Sequence, residues 1–127
     1  MNIDHNDIEK INQTLQTEVV EKSEYYSFII HKFDHSFEVQ LLKNGQYIFT
    51  TLYSNNKKYE IEHIEFYMNE SKNEVLKELF EQIQQLKNLD SRIVNKKKWF
   101  RNKIQVELLK QNRWEEYGYL SLSLIHI

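Results

Sequence analysis

The chain has 127 residues, 40% hydrophobic and 28% charged, with a net charge of −2, which suits one domain with its own core and is too short for two. Cysteine is absent, excluding disulfides, thiol nucleophiles and thiolate metal sites, and two glycines without any proline exclude a Gly-rich phosphate cradle and long flexible linkers. The opening MNIDHNDIEK has neither a basic nor an apolar leader region, and no apolar run approaches the roughly 18 residues of a membrane span, so a cytoplasmic protein is expected.

Taken in order, Ile8, Ile11, Leu15 and Val19 recur every three or four residues and predict a helix over about Asp4 to Glu21, capped by Asp4 or Asn6. Tyr25 to Phe33 reads as a strand with Tyr26, Phe28 and Ile30 on one face. Phe37 to Tyr53 is the strongest signal: two alternating runs flank Asn44-Gly45, the pair best suited to a two-residue type I′ hairpin turn. Asn55 to Lys58 turns the chain again, and Tyr59 to Met68 makes a fourth strand, with Glu60 and Glu62 expected on one solvated face. Ser71 and Glu74 have the spacing of a capping box, opening a helix over about 72–89 whose stripe is Leu76, Leu79, Phe80, Ile83 and Leu86. Asp90 to Lys98 reads as a polar loop. Trp99 to Leu109 and Trp114 to Leu122 then form a second hairpin around Gln111-Asn112.

The expected fold is α+β: an antiparallel meander of about six strands packed by an N-terminal helix and a central helix, in one domain over 1–120. Residues 121–127, SLSLIHI, resemble translated sequencing-adaptor sequence, so a natural chain diverging near Leu120 is expected, with an ordinary last strand as the alternative.

Charge is unevenly spread. Residues 1–90 carry 16 acidic and 9 basic side chains, whereas 91–127 carry 3 and 8. The basic run Lys96 to Lys98 with Trp99, Phe100, Arg101 and Lys103 has the interleaving used on nucleic acids, but the acidic remainder would repel a polyanion, so a lysine-rich loop entering a strand is favoured. His31, His35 and His63 could converge on a metal with Asp34 or Glu65, yet no ligand spacing such as HExxH supports this, and no metal or cofactor is expected. Glu60, Glu62 and Glu65 could serve acid–base chemistry only if their environments differed. An acidic contact surface is the better reading, joined by Trp114, Glu115, Glu116 and Tyr117, where aromatics suited to interfaces lie among carboxylates; that Trp114, Tyr117 or Tyr119 simply covers the sheet is an equal alternative. No catalytic motif is present.

The order helix, antiparallel strands, ELFEQIQQLKNL, then KWFRNKIQVELLKQNRWEEYGYL resembles the YezG-like immunity proteins of bacterial polymorphic toxin systems. The match lies in the helix Leu76 to Leu89, the Trp-led strand Trp99 to Leu109, the aromatic Trp114 after the turn, and Tyr117-Gly118-Tyr119. That resemblance implies a non-enzymatic protein that binds and occludes a cognate toxin, often a nuclease, with Glu60, Glu62, Glu65, Trp114, Glu115, Glu116 and Tyr117 as contacts. A phage or bacterial inhibitor or adaptor with another target is the alternative, and a nucleic-acid module working through 96–103 a third.

Overall fold

The computed structural model describes residues 1–66, 70–99 and 101–123. The order is α1 (His5–Leu15), β1 (Glu18–Glu21), β2 (Tyr25–His31), β3 (Ser36–Leu42), β4 (Tyr47–Ser54), β5 (Lys57–Glu65), α2 (Lys72–Asn88), β6 (Ser91–Lys98), β7 (Arg101–Lys110) and β8 (Arg113–Ser123). Strands β1 to β5 form one antiparallel meander and β6 to β8 a second. The α+β expectation holds, with eight described strands in two sheets. Residues 67–69, including Met68 at the expected end of the fourth strand, lie outside the described residues, as do Phe100 and 124–127 of the final SLSLIHI.

The first helix is shorter than its periodicity suggests. Asp4 and Asp7 cap it reciprocally, each side chain accepting from the other's backbone N–H at 3.0 and 2.9 Å. It stops at Leu15 because Gln16 turns left-handed (φ 52°) while the Asn12 side chain closes on the Thr17 backbone through two bonds of 2.9 Å. The β-branched residues beyond, Val19 and Val20, then join β1, which pairs with β2. The exposed helix end is closed from outside: Lys87 on α2 donates its Nζ to the carbonyls of Leu15 and Gln16.

The hairpin at Asn44-Gly45 exists, but its turn is not the type I′ expected. Gly45 alone of the pair has positive φ (75°), Leu42 O accepts from Gly45 N at 2.9 Å, and the Asn44 side chain accepts from Gln46 N at 3.0 Å. The turn's backbone is engaged by other segments: Ile3 N donates to Lys43 O at 2.7 Å and Lys43 N to Glu24 O at 2.9 Å. Two-residue turns with both residues left-handed occur instead at Asn55-Asn56 (φ 54° and 62°) and Gln111-Asn112 (φ 50° and 65°). The expected loop over Asp90 to Lys98 is largely β6, whose every residue pairs with β7, so the C-terminal part is three strands and not two.

The core lies on one side of the first sheet. Tyr26, Phe28 and Ile30 of β2, Phe37, Val39 and Leu41 of β3, and Ile48 and Leu52 of β4 are all buried, beneath Val75, Leu79, Ile83 and Leu86 of α2 and Ile8 and Leu15 of α1. Ile104, Val106 and Leu108 of β7 close the same core from the second sheet. Ser71 caps α2 by accepting from Glu74 N at 3.2 Å. The two helices are tied by Lys72 Nζ on Asp7 at 3.1 Å.

Each sheet has one irregularity, and the two meet. Between β4 and β5 the register slips so that Thr50 faces Glu62 and Thr51 faces Glu60, leaving Ile61 as the extra residue. Between β7 and β8 Val106 faces Gly118 and Glu107 faces Glu116, leaving Tyr117 extra. At this seam Gly118 lies so close to β5 that a Cβ on it would stand 2.5 Å from the Ile61 carbonyl oxygen. The obstacle is backbone and cannot swing aside.

Gly118→Ala should therefore destabilise the fold by about 1–3 kcal/mol through forced separation of the sheets, read as a lower urea midpoint. Asp7 supplies a second test. The Asp4 backbone N–H, and then Lys72, hold its carboxyl below the ordinary carboxylate range. A depressed folded pKa gives stability that is present above the unfolded value of 3.8 and lost as pH falls through the folded one. Asp7→Asn should lower the urea midpoint near about pH 6, and the gap from the parent should narrow as pH drops below about 4.

Candidate functional site: the open face of the first sheet

Both helices and the second sheet pack on one side of β1 to β5, so among the described residues the other side is uncovered. Cross-strand partners share a face, and the register places four rows there. They are Tyr25 with Leu42, and Tyr47 with Glu65, in line by alternation; Ser27, Gln40, Phe49 and His63; Ile29, Glu38, Thr51 and Glu60; and His31, Ser36, Tyr53 and Lys58. Glu18 and Val20 extend it on β1. Tyr47, Phe49 and His63 stack on one another with ring centroids 4.8–5.6 Å apart.

Glu38 occupies the middle strand of this face. Its carboxylate accepts from Ser27 Oγ at 2.5 Å, Gln40 Nε2 at 2.9 Å and Tyr53 OH at 3.0 Å. Burial, and then the bond to Glu38, push the Tyr53 phenol up to about 12, so it stays a neutral donor at physiological pH. Sequence reasoning missed Glu38; its alternation with Phe37 and Val39 marked it as solvent-facing, but two of its three donors come from neighbouring strands.

The seven expected contact residues do not form one patch. Glu60 and Glu65 lie on the open face. Glu62 does not join them: the extra residue Ile61 turns it to the opposite face, alongside Thr50, which corrects the expectation that Glu60 and Glu62 share a side. Trp114 and Glu116 belong to the outer face of the second sheet, where the Arg92 guanidinium sits 4.2 Å from the Trp114 ring and Lys103 pairs with Glu116 at 3.1 Å. Glu115 is exposed on β8 opposite Leu108. Tyr117 points inward, donating to Gln82 Oε1 of α2 at 2.7 Å with Thr50 Oγ1 at 3.2 Å, and burial raises its phenol pKa strongly. Its hydroxyl is a structural bridge.

The three histidines go separate ways. His31 meets Glu18 at 3.2 Å, His63 stacks on Phe49, and His35 is buried with Nδ1 2.5 Å from Asp34 and Nε2 2.8 Å from Ser91 Oγ. Among the described residues no group of three His, Asp or Glu side chains is placed to hold a metal ion. Asp34, His35 and Ser91 have the residue types of a hydrolase relay. However, the Asp34 side chain is 73% exposed, whereas a relay carboxylate works by being buried behind its histidine. The imidazole also packs edge-on against Phe37, centroids 5.2 Å apart. With Lys32 Nζ on the carbonyls of Lys87 and Leu89 at 3.2 and 2.9 Å, the group clamps the β2–β3 turn to the junction of α2 and β6.

No family model, curated protein or solved structure matches this chain.

Tyr117→Phe tests its placement. Loss of the hydroxyl bridge should cost about 1–2 kcal/mol of stability, seen as a lower urea midpoint, while amide chemical shifts on the open face of the first sheet stay where they are.

Proposed function

We propose that this chain is a non-enzymatic binding protein that covers and blocks a cationic protein partner, in the manner of an immunity protein against a toxin with a basic, phosphate-gripping cleft. The observation that carries the reading is the open face of the first sheet. It is broad, aromatic and, among the paired residues of β1–β5, bears Glu18, Glu38, Glu60 and Glu65 against Lys58, histidines aside. Large aromatics supply contact area at low entropic cost. A field of one sign speeds encounter with a surface of the other and rejects partners of like charge. The resemblance of the C-terminal third to YezG-like immunity proteins supports the same reading, with Glu60 and Glu65 kept as contacts and Glu62 and the β8 residues replaced by the face of β1–β4. A phage or bacterial inhibitor of another basic target would use the surface in the same way.

A nucleic-acid module is the second reading, favoured by one observation: Lys96 faces Lys103 across β6 and β7. Like charges directly opposite are unfavourable and an anion would relieve them. Against it, Lys103 is already paired with Glu116. Lysines on a sheet-edge strand such as β6 also deter edge-to-edge pairing.

Co-expression with the product of the neighbouring gene in the source operon tests the main reading. A stable one-to-one complex is expected, with an association rate that falls as salt rises; a neighbouring toxin that stays unbound refutes it. In a gel shift the chain should leave duplex DNA and single-stranded RNA unretarded. Retardation that weakens steeply with salt and is lost in Lys96→Ala/Lys97→Ala would move the assignment to the second reading.

A further inference from the structure

We infer that Glu38 is the receptor for a single arginine side chain of a protein partner, set at the centre of the open face. This rests on the binding-protein reading and names the anchor of that surface.

Glu38 is half-buried on the middle strand, held by three neutral donors from Ser27, Gln40 and Tyr53, and no lysine, arginine or histidine lies within salt-bridge distance among the described residues. Neutral donors fix a carboxylate in place without cancelling its charge. A half-buried anion without a counter-charge is costly, and the cost is recovered when a cation arrives with complementary geometry.

The remaining capacity is small. A carboxylate offers about four acceptor positions. Gln40 and Tyr53 share Oε1 and Ser27 takes one side of Oε2, leaving room for one N–H. The surroundings choose the cation: Ile29 and Thr51 flank Glu38 across the strands, and the Tyr47–Phe49–His63 stack lies beyond. A guanidinium is weakly hydrated and packs flat on aromatic rings, so it loses less than an ammonium on entering such a site.

Charge selects the kind of partner. With four carboxylates to one lysine, two copies of this face repel each other, so the occupant is a basic protein surface. Hot-spot energetics favour the same position, since a charged anchor at the centre of an aromatic patch is shielded from water by its rim.

The test uses the full chain and a defined probe, acetyl-hexaarginine amide, with the citrulline hexamer as uncharged control, followed by amide chemical shifts. Glu38→Gln and Glu60→Gln are compared because they remove the same charge from the same face. Glutamine keeps one acceptor oxygen for Tyr53 and Gln40, its amide N–H can donate to the Ser27 hydroxyl, and equal thermal midpoints confirm that both variants fold. The arginine probe should shift Ser27, Glu38 and Tyr53 saturably where citrulline does not. Glu38→Gln should weaken it about tenfold, the worth of a hydrogen bond to a charged group, and Glu60→Gln at most about twofold, as expected at an exposed site. Equal losses in both variants would reduce the effect to diffuse charge and overturn the assignment, as would shifts centred elsewhere or no saturable shift. Self-association abolished by Glu38→Gln would give the site to a second copy and also overturn it. A toxin that binds with Glu38→Gln unimpaired sinks the arginine receptor alone. Failure of the neighbouring gene product to bind, with the probe result intact, sinks the toxin reading alone.

Discussion

The near contact of Gly118 with the Ile61 carbonyl is the constraint on which the architecture turns. Two sheets can approach this closely only where one strand has no side chain and the other presents backbone. Both strands meet the requirement at an irregularity of their own pairing. A bulge bends its strand and redirects the residues on either side. Here the bend in β5 sends Glu60 to the open face and Glu62 to the covered one. The bend in β8 turns Tyr117 inward, where Thr50 and Gln82 receive it. Sheet, sheet and helix are thereby joined at one point, and everything that packs on the first sheet packs on the same side.

That one-sidedness shapes the open face. A sheet face left bare in water would ordinarily alternate simple polar residues. This one carries Tyr25, Ile29, Leu42, Tyr47, Phe49 and Tyr53, partly exposed, around a polar centre in which Ser27 and Thr51 are buried and Glu38 is hydrogen-bonded three times. An entirely apolar face of this size would drive indiscriminate association. In the proposed reading an acidic centre offsets that hazard, because a like-charged or uncharged partner leaves the half-buried Glu38 without a cation.

The parts legible in the sequence are those governed by local periodicity. The alternation of Phe37, Val39 and Leu41 and the caps at Asp4 and Ser71 arise from residue spacing alone and stand in the structure, as do Leu79, Ile83 and Leu86 of the α2 stripe. Leu76 and Phe80, however, are half-buried, Val75 takes the fully buried place, and Ser71 accepts from Glu74 N with no reciprocal glutamate bond among the described residues. The misreadings share one cause, a contact made outside the local repeat. Val19 continues a helical period by number, yet Asn12 closes the helix on Thr17 and β2 captures the next four residues as β1. Asn44-Gly45 has the composition of a tight turn, but Ile3 and Glu24 bond to the Lys43 backbone. Asn55-Asn56 and Gln111-Asn112 form the tight turns instead, each with both residues left-handed. Asp90 to Lys98 looks like loop because β6 is an edge strand rich in lysine, and its strand character is supplied by β7.

The displacement of the candidate site has the same physical origin. Period-two alternation assigned Glu60 and Glu62 to one face, and a single extra residue at Ile61 separates them; no feature of YEIEHIE announces it. Glu38 is hidden for the opposite reason: its own segment is regular, and its setting comes from Ser27 and Tyr53 on the two flanking strands together with Gln40 on its own. Composition located the excess of negative charge in the first ninety residues, and register decides which of those charges act together. Register brings Lys96 opposite Lys103 across β6 and β7 and Lys110 opposite Arg113 at the β7–β8 turn, all on the second sheet, whereas Glu38 is on the first. The carboxylate at the middle of the open face is held by neutral donors from Ser27, Gln40 and Tyr53, and among the described residues no cation pairs with it.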